Sequence, residues 1–312
     1  MVATAFLFPG QGSQVVGMGK ALAQAFPEAR AVFRAADDAL GEPLSRLCFE
    51  GPESELVLTR NTQPAILATS IAAHAVWTAR AERAAFVAGH SLGEYSALVA
   101  AGALSLSDAV RAVRARGTFM QEAVPPGTGA MAAVLGLDAG LVSRICAEAA
   151  GTEVVSPANY NAPDQTVIAG HATAVERASA KLREAGAKRV VPLAVSAPFH
   201  CALMEPVKPR LAEVLARCTV SAPRSPVVTN VEAAPNADAA RVVPLLLAQV
   251  SAPVRWVECV RALAAAGVTR VVELGPGRVL GGLVKRISKE LEVLNVEDPA
   301  SLEKALAAAE AP

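Results

Sequence analysis

Aromatic side chains are scarce: Phe, Trp and Tyr supply only 4% of the 312 residues, although 53% of the chain is hydrophobic. A core filled by Ala, Val and Leu suits helices packed closely on a parallel sheet. Neither sign of charge is in excess, since Lys+Arg and Asp+Glu both number 29. Without a basic surplus to neutralise phosphates, nucleic acid is not an expected partner. Long apolar runs are missing as well. The longest uncharged stretch, Asn61 to Ala79, carries Asn61, Thr62, Gln63, Pro64, Ser70 and His74, which a bilayer core rejects. It is expected to be a buried helix, with no membrane as partner. The five cysteines (Cys48, Cys146, Cys201, Cys218, Cys259) are scattered, odd in number and never at metal-ligand spacing. Small buried thiols are expected, with no disulfide framework and no metal site. Met1 to Phe8 lacks a positively charged leader segment and runs into Pro9-Gly10. It is expected to be a first strand of a cytoplasmic protein, not a secretory signal.

What is present is an alternation of short apolar runs with helical patterns. Ala3 to Phe8, Ala85 to Ala88, Val227 to Asn230, Arg270 to Leu274 and Val293 to Val296 are such runs, and the rhythm predicts a mainly parallel sheet. Between Pro125 and Pro198 the pattern changes. Strand is expected over Gly129 to Gly136, helix over Asp138 to Ala150, strand over Glu153 to Ala158 and over Thr166 to Gly170, helix over Thr173 to Ala185, and strand over Arg189 to Val195. That is the β-α-β-β-α-β order of a ferredoxin-like unit. Pro125-Pro126-Gly127 and Ala197-Pro198 punctuate its ends. We therefore expect residues 126–197 to be an insert in a larger α/β unit made of 1–125 and 198–312.

The sharpest local signal is Phe86-Val87-Ala88-Gly89-His90-Ser91-Leu92-Gly93-Glu94-Tyr95, an apolar run ending in Gly-x-Ser-x-Gly. A tight strand-to-helix turn leaves no room for side chains on either flank of the serine, so glycine is required there and the hydroxyl is exposed at the sheet edge. Leu92, Ser96, Val99 and Gly102 then repeat at helical spacing. Ser91 is the candidate nucleophile. Of four histidines, His74 lies inside a helical run, His90 neighbours Ser91 and is expected to point away from it, and His171 opens an insert helix. His200, after Ser196-Ala197-Pro198-Phe199, remains as the base, placed where the chain returns from the insert across a cleft. No histidine follows it and no third acidic member can be singled out, unlike an ordinary hydrolase. A backbone carbonyl is one alternative holder for the imidazole.

Projected at about 100° per residue, Asp108 to Gln121 places Ala109, Val113, Arg116 and Met120 on one side, with Arg111 and Arg114 elsewhere. A guanidinium in an apolar stripe needs a carboxylate partner, internal or from a ligand, or must snorkel to water. Phe8-Pro9-Gly10-Gln11-Gly12-Ser13-Gln14 follows a strand. It lacks the third glycine of a dinucleotide fingerprint, where Val15 stands, and its amides suit an oxyanion hole. Gly275-Pro276-Gly277 reads equally well as a tight turn.

These segments, with Arg116-Gly117, Met120-Gln121, Ala158-Asn159-Tyr160-Asn161, Pro198-Phe199-His200, Val250 to Trp256 and Glu273 to Gly277, stand in one order over nearly the whole chain. Together they resemble the malonyl-CoA:acyl carrier protein transacylases. The resemblance implies an α/β-hydrolase-like core with a ferredoxin-like insert. It also implies malonyl transfer through a serine ester in fatty acid synthesis, with malonyl-CoA and acyl carrier protein as partners, no cofactor, and a monomeric protein. Carried over, Ser91 is the nucleophile and His200 the base. The Gln249 backbone carbonyl orients His200, the amides of Gln11 and Leu92 form the oxyanion hole, and Arg116 binds the malonyl carboxylate. Asn159 lines the cleft, and Phe199 matches a bulky residue that goes with malonyl preference. Lys285, Arg286 and Lys289 are candidates for meeting an acidic carrier, against the plainer reading of a solvated helix face. The alternatives are a freestanding acyltransferase serving a polyketide synthase, a serine thioesterase or esterase, and a noncatalytic carrier-binding module.

Overall fold

In the computed structural model, residues 3–195 and 197–310 are described, so Ser196 and the extreme termini lie outside the described residues. The strands are β1 (Thr4–Phe8), β2 (Phe86–Gly89), β3 (Gly129–Leu135), β4 (Val155–Ala162), β5 (Gln165–His171), β6 (Arg189–Pro192), β7 (Val227–Val228), β8 (Pro235–Asn236), β9 (Arg270–Leu274) and β10 (Glu292–Val296). One sheet has the order β10-β9-β1-β2-β7-β8, parallel except for the β7–β8 pair. Strands β1, β2 and β7 are apolar apart from Thr4 because both faces of the sheet are covered there. Phe6, Phe8, Val87, Val272 and Leu274 enter one core, whereas Ala5, Leu7, Ala88 and Val271 enter the other.

Helix Thr59–Thr78 lies in the first of these cores and is buried around most of its circumference, as its near absence of charge predicts. It packs closely on helix Leu106–Glu122. Gly117 permits the approach: a Cβ there would sit 2.6 Å from the Thr59 carbonyl oxygen. This contact sets Arg116 beside Gln63 on the facing helix.

The second sheet, β4-β5-β3-β6, is wholly antiparallel. With helices Ala139–Ala150 and Ala172–Glu184 it has its own core, including Val134, Val142, Ile168 and Leu182. Strand order and connection are ferredoxin-like, so the molecule is a parallel α/β unit carrying an α+β insert. Strand β4 extends four residues beyond the expected Ala158. Bulges after Pro157 and Tyr160 absorb its poor strand formers, and Tyr160 donates its amide to the Val254 carbonyl at 2.9 Å, which ties the edge to the larger unit. Strand β7 is shorter than the expected Val227 to Asn230. The chain turns at Thr229, where Ala233 donates its amide to the Thr229 carbonyl at 2.9 Å, and β8 pairs back on β7. Asn230 is thereby released from the sheet toward Ser91.

Candidate active site

Strand β2 ends at Gly89 and helix Gly93–Ala100 follows almost at once. A Cβ on Gly89 would lie 1.9 Å from the Gly93 carbonyl, and one on Gly93 2.1 Å from the Phe8 carbonyl oxygen. Both flanking glycines are therefore steric necessities. Between them Ser91 adopts φ 52°, a left-handed conformation that costs of order 1–3 kcal/mol in a non-glycine residue. Its amide donates to Asn230 Oδ1 at 2.7 Å, and Asn230 Nδ2 donates to the Gly89 carbonyl at 2.7 Å, so the turn is held from outside.

Ser91 Oγ lies 2.7 Å from His200 Nε2, and His200 Nδ1 lies 2.9 Å from the Gln249 carbonyl oxygen. A carbonyl only accepts, so the proton sits on Nδ1 and Nε2 is free to take the serine proton. Burial, then the charge of Arg116, pushes the imidazole down to about 3, against the pull of the Gln249 carbonyl. The ring is neutral and basic at Nε2. No carboxylate is needed to set its tautomer.

Arg116 is only 1% exposed. Nη1 donates to Gln63 Oε1 at 2.9 Å, while Nη2 donates to Gln249 Oε1 at 2.9 Å and to Ser91 Oγ at 3.2 Å. Its guanidinium lies over the Tyr95 ring at 5.6 Å. Among the described residues no carboxylate forms an ion pair with it, and Nε has no partner at all. Of the three options open in the sequence, an internal ion pair and a snorkelling chain are both eliminated. A buried positive charge held only by neutral oxygens has the chemistry to receive an anion.

These groups share a cavity of about 110 Å³ with Gln11, Gln63, His90, Leu92, Asn159 and an apolar wall that includes Met120, Met131 and Phe199. The amides of Gln11 and Leu92 donate to no acceptor among the described residues, and the Gln11 side chain is anchored on Thr59 Oγ1 at 3.2 Å. Ser91, His200, Gln249, Gln11, Leu92, Arg116, Asn159 and Phe199 are thus all brought to or beside one cleft. His90 also lines it, but its Nε2 is engaged by Asn161 Oδ1 at 2.8 Å and burial lowers its basicity. His74 packs against Phe6 and Phe8, pushed down to about 4 by burial and then by Arg83. His171 occupies a helix-capping position without a capping bond, its ring accepting the Val154 amide at 2.9 Å instead. Arg286 pairs with Asp164, and Lys285 stands exposed beside it. Among the described residues the cysteines are free and no group of three metal-ligating side chains occurs.

Three residues absent from the sequence-derived candidates complete the site: Gln63, Glu94 and Asn230. Gln63 holds Arg116, Asn230 holds the Ser91 amide, and Glu94 accepts from both Gln249 and Asn230. Burial raises the Glu94 carboxyl to about 7, opposed by its Asn230 and Gln249 bonds and by Arg116.

Residues 5–304 match the acyl transferase domain family. Over 309 residues the chain is 50% identical to the malonyl CoA-acyl carrier protein transacylase of Escherichia coli strain K12, covering 98% of this chain and 99% of that one. The crystal structure of the malonyl-CoA:acyl carrier protein transacylase of Xanthomonas oryzae is 49% identical, covers 99% and 98% of the two chains, and superposes with a TM-score of 0.96. A malonyl-transacylase solved in complex with its type II PKS acyl-carrier protein is 48% identical over 98% and 99% of the two chains, with a TM-score of 0.95. With such agreement from the first strand to the last helix, this chain belongs to the acyl transferase family, among the malonyl CoA-acyl carrier protein transacylases.

Proposed function

We propose that the protein transfers the malonyl group of malonyl-CoA to the phosphopantetheine thiol of acyl carrier protein, supplying fatty acid synthesis, through a malonyl ester on Ser91. The observation that carries this is Arg116: a buried guanidinium without a carboxylate partner among the described residues, 3.2 Å from Ser91 Oγ. Malonyl-CoA offers a thioester for Ser91 and, two bonds beyond its carbonyl carbon, a carboxylate for Arg116.

Ser91 Oγ attacks the thioester carbonyl carbon as His200 Nε2 takes the hydroxyl proton. The carbonyl π electrons move onto oxygen, which the amides of Gln11 and Leu92 receive. When the tetrahedral centre collapses, the C–S bond breaks and the imidazolium returns its proton to the departing CoA sulfur. The incoming pantetheine thiol then gives its proton to His200 and attacks the ester, and Ser91 leaves with that proton. Both half-reactions exchange an acyl group between oxygen and sulfur, with no redox change and no cofactor required. Gln249, through its backbone carbonyl, steadies the imidazolium. Asn159 and Phe199 shape the cleft, the ring crowding a branch at the malonyl α-carbon. We read the protein as a cytoplasmic monomer without nucleic acid or membrane partners, because both substrates are water-soluble thioester carriers and the chain has no net charge.

Intact-mass measurement after incubation with malonyl-CoA tests the proposal. A malonyl increment is expected on the native chain, absent in Ser91→Ala and removed by phosphopantetheinylated carrier. An increment persisting in Ser91→Ala, or released as free malonate instead of passing to the carrier, overturns it. The complex with a type II PKS carrier favours one second reading, service to a polyketide synthase. Loading rates with carriers of each pathway separate the two.

A further inference from the structure

Glu94 is 2% exposed and forms no ion pair among the described residues. Its Oε2 accepts two hydrogen bonds, from the Asn230 amide at 3.0 Å and from Gln249 Nε2 at 2.8 Å. Gln249, fully buried, uses both ends of its side-chain amide. Nε2 also donates to the Ser91 carbonyl at 3.0 Å, and Oε1 accepts from Arg116 Nη2 at 2.9 Å. Arg116 can only donate, whereas the Ser91 carbonyl and the Glu94 carboxylate only accept. The amide therefore has one permitted orientation, and its oxygen faces the guanidinium.

Resting on the malonyl-transfer reading, we propose that Glu94 is a positioning residue for the substrate carboxylate: by accepting from Gln249 Nε2 it fixes the Gln249 amide, whose oxygen in turn aims Arg116. The influence runs from the start of helix Gly93–Ala100, through the last residue of helix Ala239–Gln249, to the middle of helix Leu106–Glu122. Two successive helices and a third far along the chain meet at one side-chain amide. Gln63 supports the guanidinium from the opposite side, so loosening Gln249 tilts Arg116 instead of freeing it. What position 94 supplies is an acceptor at a fixed distance. A neutral acceptor of the same length serves equally, because Oε2 takes both bonds and Oε1 takes none among the described residues.

Two conservative variants separate geometry from charge. Glu94→Gln keeps the acceptor and removes the charge. Glu94→Asp keeps the charge but withdraws the carboxylate by one carbon–carbon bond, about 1.5 Å, beyond hydrogen-bonding range of Gln249 Nε2. Rates of malonyl loading onto Ser91 are measured beside rates of Ser91 sulfonylation by a neutral sulfonyl fluoride. In that reaction Ser91 Oγ displaces fluoride from sulfur, its proton passes to His200, and Arg116 has no anion to bind. Glu94→Gln is expected to hold both rates within about threefold of the native protein. Glu94→Asp is expected to lose roughly tenfold in malonyl loading, mainly as a higher KM, with sulfonylation within about threefold, the size of effect that a small misplacement produces. The proposal is overturned if Glu94→Asp loads malonyl like the native protein, if Glu94→Gln is the more impaired, or if both reactions fall in parallel as a general structural defect would make them. Failure of the native protein to load malonyl would instead refute the proposed function, leaving the two outcomes distinct.

Discussion

Replacing Arg116 by Ala removes the guanidinium that donates to Ser91 Oγ at 3.2 Å, and the structure bounds the effect. The guanidinium is buried and a carboxylate bound to it would be desolvated, so truncation falls in the class that costs about 2–5 kcal/mol. Arg116 already donates to the oxygens of Gln63, Gln249 and Ser91, bonds a substrate carboxylate must compete with or supplement. The lower part of that range therefore applies, about 2–3.5 kcal/mol, or roughly 30- to 300-fold in kcat/KM for malonyl-CoA at about 1.4 kcal/mol per decade. The assay is rapid-quench loading of Ser91, normalised to titrated active sites, with malonyl-CoA and a neutral short acyl-CoA side by side. Ser91, His200 and both oxyanion amides remain in the variant, so the neutral acyl group should load within about fivefold of its native rate and discrimination between the substrates should collapse. Arg116→Lys should recover only part of the loss, because a single ammonium cannot reproduce the planar fork that spans Gln63 and Gln249. Equal losses for charged and neutral acyl groups would refute the reasoning and make Arg116 a support of Ser91 rather than a receptor.

Because burial and Arg116 hold His200 down to about 3, kcat/KM for loading should stay level as pH falls from 8 to 5, whereas an acid limb near the ordinary 6.5 would contradict the neutral-imidazole geometry. The folded His74 lies at about 4, below its ordinary 6.5, so its contribution to stability is complete above 6.5 and is lost as pH falls toward 4. His74→Phe should accordingly lower the acid sensitivity of Tm, and an unchanged pH profile of melting would count against it. Gly117→Ala places a methyl 2.6 Å from the Thr59 carbonyl oxygen and should destabilise the protein by about 1–3 kcal/mol in urea melts, as overpacking does. A neutral result there would mean that the two helices separate freely. Gly93→Ala drives its methyl into the Phe8 carbonyl and should abolish Ser91 loading even in the fraction that remains folded, as judged by circular dichroism.

The parts of the site legible in the sequence are those that break a local pattern. Ser91 stands between two glycines in a turn, Arg116 interrupts the apolar stripe of Ala109, Val113 and Met120, and His200 is left once three other histidines have local explanations. The strand runs are equally local: four of the five expected in the larger sheet lie within a residue of their expected bounds, while β7 stops at Val228 and the two-residue β8 escapes the pattern. Gln249 is implied by family resemblance alone, since a backbone carbonyl leaves no mark on residue type. Gln63, Glu94 and Asn230 leave none that can be used, for different reasons. Gln63 is 53 residues from Arg116 and lies in an otherwise apolar helix whose polar residues look like tolerated exceptions. Asn230, 139 residues from Ser91, owes its position to the β7–β8 turn, a hairpin of two-residue strands too short to have a period. Glu94 is a buried charge that ought to have stood out as Arg116 does, but its helix has eight residues and is buried continuously from Gly93 to Leu98, so there is no polar face against which to judge it. Periodicity exposes a misplaced charge only where a helix has two unlike sides. Residues that react or bind substrate must violate the local pattern, whereas those that aim them need only satisfy a hydrogen bond across the fold. The first kind can be read along the chain, and the second appears only when the chain is closed on itself.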